Sequence, residues 1–271
     1  MRSNKLRSLL NSGTPTLGTR LQSSWTSIVE IVGHTGMFDY VEFLAEYAPF
    51  TLHDLENMCR AAEVHDLGTM IKVDAEPRQF LAQRAIGAGF QSVLFADCRT
   101  VEDVQACIRA VRPDTPEDGG LYGAASRRFA FMGYGGDPDY VQALRDVVVV
   151  MMIEKGPAVE RLEEILSVPG IDMVQWGGAD YSMSVGKAGQ RRSPEMKAIE
   201  KRVIETCLNK GIPARIEIAI PDDLRYYLDL GVRHFSLSSD IAILFNWWKQ
   251  NGEQVRKLVS SAASAGIDSG V

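Results

Sequence analysis

The sequence predicts an α/β protein built as a (β/α)8 TIM barrel. Three observations predict it: eight short apolar runs, helical segments between them, and a length of 271 residues. Strands alternating with helices imply parallel pairing through right-handed crossovers, and eight such units take about 250 residues. One domain is expected, with the barrel over about 15–240 and a C-terminal helix over about 240–262.

Each element has its own signal. "TLGTRLQ" (16–22) is β-branched and apolar, and "SIVEIVGHTG" after it has helical period. "FDYVEFLAE" (38–46) is the second strand, followed by the helix "TLHDLENMCRAAEVHD". "GTMIKV" (68–73) leads into "PRQFLAQRAIGAG", a helix that stops at Gly89. "QSVLFA" (91–96) leads into "TVEDVQACIRAV". "VVVVMMI" (147–153) precedes "PAVERLEEILSVPG", stopping at Gly170, and "IDMVQW" (171–176) precedes "SPEMKAIEKRVIETCLNKG", stopping at Gly211. "ARIEIA" (214–219) leads into "PDDLRYYLDLG", stopping at Gly231, and "RHFSLS" (233–238) leads into the last helix. Glycine after a helix and before a strand is the expected C-terminal stop.

A doubly wound open sheet is the alternative. Neither Gly-x-Gly-x-x-Gly after the first strand nor a phosphate-loop sequence supports it. The longest irregular stretch, 112–139, is expected to lie over the C-terminal face. Phe245, Trp247 and Trp248 fall within four residues, so the last helix is expected to pack on the barrel or on a neighbouring subunit.

Composition narrows the function. A net charge of −6 with no basic cluster argues against a nucleic-acid or membrane partner. No apolar stretch is long enough for a transmembrane helix or a secretory signal, which predicts a cytoplasmic protein. Cys59, Cys98, Cys107 and Cys207 lack metal or redox spacing and read as buried thiols. The histidines are dispersed, so a metal would be held by oxygen.

Two carboxylates have suitable positions. Glu154 directly follows the fifth strand, and Asp180 follows the sixth after a Gly-Gly-Ala turn. Catalytic groups of such barrels sit at the C-terminal ends of strands, and neighbouring strands lie about 4.8 Å apart. The pair can therefore share a hard divalent cation with open positions for substrate. Gly177 and Gly178 let backbone amides approach an anion closely. The alternative makes Glu154 a first-turn acid and Asp180 a helix cap.

The stretches "FDYVEFLAEYAPF", "MMIEK" and "GIDMVQWGGADYSMSVG" resemble the HpcH/HpaI family of metal-dependent class II aldolases, and similarity runs from about "LGTRL" to "LSSDIAILF". That family includes 4-hydroxy-2-oxoheptanedioate aldolase and 2-keto-3-deoxy sugar acid aldolases. The resemblance implies a (β/α)8 barrel, a homo-oligomer (hexamer or trimer) with the last helix exchanged, and Mg2+, Mn2+ or Co2+ on Glu154 and Asp180. It further implies a 2-oxo acid substrate whose carboxylate meets the amides around Gly178 and Ala179, and an aldehyde partner.

Three departures stand out. Where the family motif reads Asp-Gly-Glu-His-Ala-Pro, this chain reads Leu44-Ala45-Glu46-Tyr47-Ala48-Pro49, so the Asp-His base dyad is missing. Lys72 stands where the third strand of relatives ends in arginine, and Arg20 where the first often has tryptophan; both are catalytic candidates that supply fixed positive charge towards the barrel mouth. Period two places Glu42, Leu44 and Glu46 on one strand face, making Glu46 a candidate base or else a structural partner of Lys72 or Arg20. Tyr47 is a candidate hydrogen-bond donor, since a phenol titrating near 10 is a poor base. Arg127 and Arg128 are candidates to grip a distal anion; His34 and His53 are weaker candidates for the barrel rim.

Three functions follow: a metal-dependent carbon–carbon lyase working through a pyruvate enolate, a decarboxylase of an oxaloacetate-like acid, and a barrel that binds metal and carboxylate without turnover. The decarboxylase reading gains from the missing dyad, because loss of CO2 generates the enolate without a base.

Overall fold

The computed structural model describes residues 3–124 and 137–267. Eight parallel strands close into a barrel in sequence order: β1 (Thr16–Leu21), β2 (Tyr40–Leu44), β3 (Gly68–Val73), β4 (Ser92–Phe95), β5 (Val148–Ile153), β6 (Met173–Trp176), β7 (Ala214–Ile218) and β8 (His234–Ser239). Helices α2 (Thr26–Thr35), α3 (Leu52–Val64), α4 (Arg78–Ala88) and α5 (Val101–Val111) follow the first four strands. Then come α6 (Pro138–Arg145), α7 (Gly156–Glu160), α8 (Leu162–Ile165), α9 (Gly178–Ser184), α10 (Pro194–Asn209), α11 (Leu224–Asp229) and α12 (Asp240–Ile267).

Strand parity sorts the chain into two cores. Val149, Met151 and Ile153 join the layer between strands and helices, together with Val41, Phe43, Ile71, Val73, Val93 and Phe95. Val148, Val150 and Met152 of the same strand face the barrel axis with Tyr40, Met70, Leu94 and Met173. β5 is thus buried on both faces, and its unbroken apolar run needs no other explanation.

The opposite side of the interior is polar. Arg215 of β7 reaches across to pair with Glu42 of β2, both fully buried, and its Nε donates to the Tyr40 hydroxyl at 2.6 Å. Arg20 of β1 pairs with Glu217 of β7, and Gln175 of β6 donates to the same carboxylate at 2.6 Å. These strands are not all neighbours, so the contacts run through the axis. Gly18 makes room for them: a Cβ there would lie 2.5 Å from the Tyr40 ring.

A further helix, α1 (Lys5–Asn11), closes the N-terminal end of the barrel. Leu6 enters the interior core. Asn4 caps the helix by accepting from the Arg7 amide, and its side chain donates to the carbonyls of Gln91 and Asp146 at 2.7 and 2.8 Å. The Arg7 guanidinium forks onto Asp172 at 2.6 and 2.7 Å.

Three expectations need correction. The second strand is shorter than 38–46, so Glu46 lies two residues past its end, in a turn. The helix expected over "PAVERLEEILSVPG" is two short helices, because the backbone leaves helical geometry at Arg161 (φ −105°, ψ 25°). The long irregular stretch leaves from the end of α5, not from a strand, so its described part, 112–124, starts at the N-terminal end of the barrel. There Arg112 donates to Val147 O at 2.7 Å and pairs with Asp172 at 3.5 Å. Of the two coverings expected for α12, the chain's own barrel is not the one: Phe245, Trp247 and Trp248 are 62%, 61% and 63% exposed.

Candidate active site

Inward parity continues past the strand ends. Glu154 extends the inward series 148, 150, 152 and is 1% exposed at the C-terminal mouth. Its Oε1 accepts the Asp97 amide at 2.9 Å, whereas Oε2 is buried and accepts no hydrogen bond among the described residues. Burial pushes its carboxyl up to about 6; Lys72 and the Asp97 amide pull against that, and the Asp180 carboxylate adds to it. Asp180 stands in the first turn of α9 with its side chain 38% exposed. Gly177 permits the approach of β6 to Glu154: a Cβ there would sit 2.5 Å from the Glu154 Cβ and 2.6 Å from Oε2. The Gly177 amide donates to Ile153 O at 3.1 Å, so the turn is tied to β5. Gly178 and Ala179 open α9.

Lys72, inward on β3, meets Glu46 at 2.5 Å. Burial, the largest influence, opposes its charge, yet Glu154 and Glu46 together hold the ammonium above the ordinary lysine value. Tyr47 is 56% exposed, with its ring centroid 5.0 Å from Lys72 Nζ. Partial burial pushes the phenol up to about 12, with Glu46 and Asp180 acting in the same sense and Lys72 opposing. It is a donor, not a base, at neutral pH.

Two site residues had no place in the sequence-based candidate set. Asp97, just past β4, and Lys155, next to Glu154, form an ion pair at 2.6 Å, and the same ammonium stands 3.6 Å from Asp180. Burial is the largest influence on Lys155 and opposes its charge, but the Asp97 hydrogen bond and the surrounding carboxylates raise it. The strand-end rule that marked Glu154 and Asp180 also applies to "FAD" at the end of the fourth strand, so the signal for Asp97 was present.

The donor set fits a hard cation. Glu46, Asp97, Glu154 and Asp180 supply four formal negative charges against two from Lys72 and Lys155, leaving two, which one divalent ion balances. Among the described residues no group of three histidines, cysteines, aspartates or glutamates is placed to hold a metal, so Glu154 and Asp180 would leave coordination positions for other oxygen ligands. The orphaned Glu154 Oε2 is the strongest mark of such a ligand, because a buried unpaired carboxylate oxygen is costly.

Arg20 is bound to Glu217, with its Nε donating to Ser238 O at 3.1 Å. Arg127 and Arg128 lie outside the described residues. His34 packs its ring 4.3 Å from His65 in the last turn of α2, away from the mouth, and His53 is exposed on α3. All four cysteines are buried thiols, none of them in a disulfide. No helix among the described residues is long and apolar enough to cross a membrane.

Relatives share both sequence and architecture. A 2-dehydro-3,6-dideoxy-6-sulfogluconate aldolase of Pseudomonas putida is 28% identical over 240 residues, covering 88% of this chain and 91% of the relative. A hydroxypyruvate/pyruvate aldolase of Paraburkholderia phytofirmans is 25% identical over 260 residues, covering 93% and 98%. The crystal structure of an HpcH/HpaI aldolase/citrate lyase family protein from Burkholderia cenocepacia superposes with a TM-score of 0.84 at 28% identity, covering 94% of this chain and all of that one. The model of the HpcH/HpaI aldolase/citrate lyase family matches residues 19–246, and with the closed barrel and its mouth of carboxylates this makes the chain a member of that family.

Proposed function

We propose that the protein is a divalent-metal-dependent carbon–carbon lyase, an aldolase acting on a 2-oxo acid through a pyruvate enolate. The buried, unpartnered Glu154 Oε2 beside Asp180 carries this reading. Mg2+, Mn2+ or Co2+ held by Glu154 and Asp180 would supply Lewis acidity at the substrate ketone. The chain's own groups do the rest. The Gly178 and Ala179 amides hold the substrate carboxylate. Lys72, kept charged by Glu46 and Glu154, stabilises negative charge developing on the ketone oxygen. Tyr47 donates to substrate from the open side, and Arg127 and Arg128 grip the distal end of the aldehyde partner. The names of the relatives support a small hydroxylated 2-oxo acid as the substrate class.

One observation favours decarboxylation of an oxaloacetate-like acid as the second reading. Glu46 is engaged with Lys72, and the Tyr47 phenol, pushed up to about 12, is no base near neutrality. Loss of CO2 needs none.

Incubation with pyruvate in D2O, with Mn2+ or with a chelator, separates the readings by loss of the methyl proton signal. Metal-dependent exchange, abolished in Asp180→Ala, is expected. Its absence together with CO2 release from oxaloacetate would transfer the assignment to the decarboxylase, and inactivity in both assays would leave a binding protein. Where exchange occurs, Glu46→Gln is expected to slow it about 100-fold if Glu46 leaves Lys72 to act as base; an unchanged rate assigns Glu46 to holding Lys72.

A further inference from the structure

β4 and β5 each bring to the mouth a charged group that the proposed chemistry does not use. Asp97 adopts a left-handed backbone (φ 58°), uncommon for any residue but glycine and best tolerated by Asp and Asn. That turn aims its amide at Glu154 Oε1, at 2.9 Å, and its carboxylate at Lys155 Nζ, at 2.6 Å. The Lys155 ammonium is 3.6 Å from Asp180 Oδ1, near enough to feel its charge and too far for a hydrogen bond.

We propose that Asp97 is a positioning residue: by tethering Lys155 it keeps that ammonium from closing on Asp180, and so sets the affinity of the Glu154–Asp180 pair for a divalent cation. The inference rests on the metal reading above. Lys155 is an internal competitor for Asp180, a positive charge on a flexible stem beside a carboxylate needed by the cation. The 2.6 Å contact decides the competition by giving the ammonium a better partner. Without the charge of Asp97, Lys155 moves about 1 Å onto Asp180, to the distance of a charge-assisted hydrogen bond, and a cation must displace it.

Asn at position 97 keeps the left-handed turn and the amide to Glu154 while removing the charge, so Asp97→Asn isolates the tether. Binding of Mn2+ to the full-length protein, read from the electron paramagnetic resonance signal of free Mn2+, is compared for wild type, Asp97→Asn, Lys155→Met and the double variant. Asp97→Asn is expected to weaken Mn2+ binding about tenfold. Lys155→Met binds at least as tightly as wild type, and the double variant matches Lys155→Met, because with no lysine to restrain the tether has no function. An unchanged Asp97→Asn, or one whose loss persists in the Lys155→Met background, overturns the proposal. Should Asp97→Asn not fold, a Lys155→Met protein that binds Mn2+ more weakly than wild type overturns it equally. Failure of the metal reading is separately visible: wild type then binds no Mn2+, or Asp180→Ala binds it as wild type does, and the tether falls with it.

Discussion

Among single residues, His234 shows how the polar interior couples charge to stability. It is 7% exposed at the start of β8, with Nδ1 3.0 Å from the Thr16 hydroxyl, and burial together with nearby Arg215 lowers its pKa to about 4 from an ordinary 6.5. The folded protein therefore binds the proton less readily than the unfolded chain. Its contribution to stability is complete above about pH 6.5 and is lost as the pH falls towards 4. The loss from this group amounts to about 3 kcal/mol. Denaturant unfolding of His234→Gln across pH 4–7 is expected to show a correspondingly flatter acid limb; a parallel curve would remove His234 from the account. Residues also mark where sequence reading stops. Glu154 and Asp180 were visible as carboxylates at strand ends, and Lys72 was one of the two partners open to Glu46; what the sequence could not choose was between that pairing and a free base, because the end of β2 at Leu44 is not marked in "LAE".

At the scale of elements, all eight strands were legible because period-independent apolar runs between helices have one economical arrangement, and glycine marked the helix ends. Gly211, at φ 74°, stands just past the end of α10 in a conformation other residues rarely adopt. The closing role of α1 was not legible. Apart from Leu6 in the interior core, its partners are backbone carbonyls and a carboxylate at the lower strand ends, and nothing in a seven-residue helix names them. Asn4→Ala removes both the helix cap and the two donations to Gln91 and Asp146. It is expected to cost about 2 kcal/mol, measured as a lower midpoint in urea with an unchanged slope. A cost near zero would make α1 a loose flap.

For the whole molecule, the unburied feature is α12. Besides Phe245, Trp247 and Trp248, the helix exposes Val255, Leu258 and Val259, an apolar surface of the kind that marks association. Homo-oligomerisation through this helix is expected at micromolar concentration by light scattering, and Trp247→Ser with Trp248→Ser should shift the protein towards monomer. A wild type that scatters as a monomer contradicts this. The sequence made the aromatic cluster evident, but could not say whether barrel or neighbour covers it, since both offer the same apolar contact.

The seating of α1 has a kinetic side. Asn4 and Arg7 bind groups 87, 142 and 165 residues later in the chain. At about 5–20 residues per second of synthesis, the helix waits on the order of ten seconds before Asp172 exists for it to grasp. Leu6, meanwhile, has no interior to enter. Assembly of this barrel thus runs against the order of its making: a helix produced before every strand is fastened only after five of them are complete, and the lower end stays open to solvent until then.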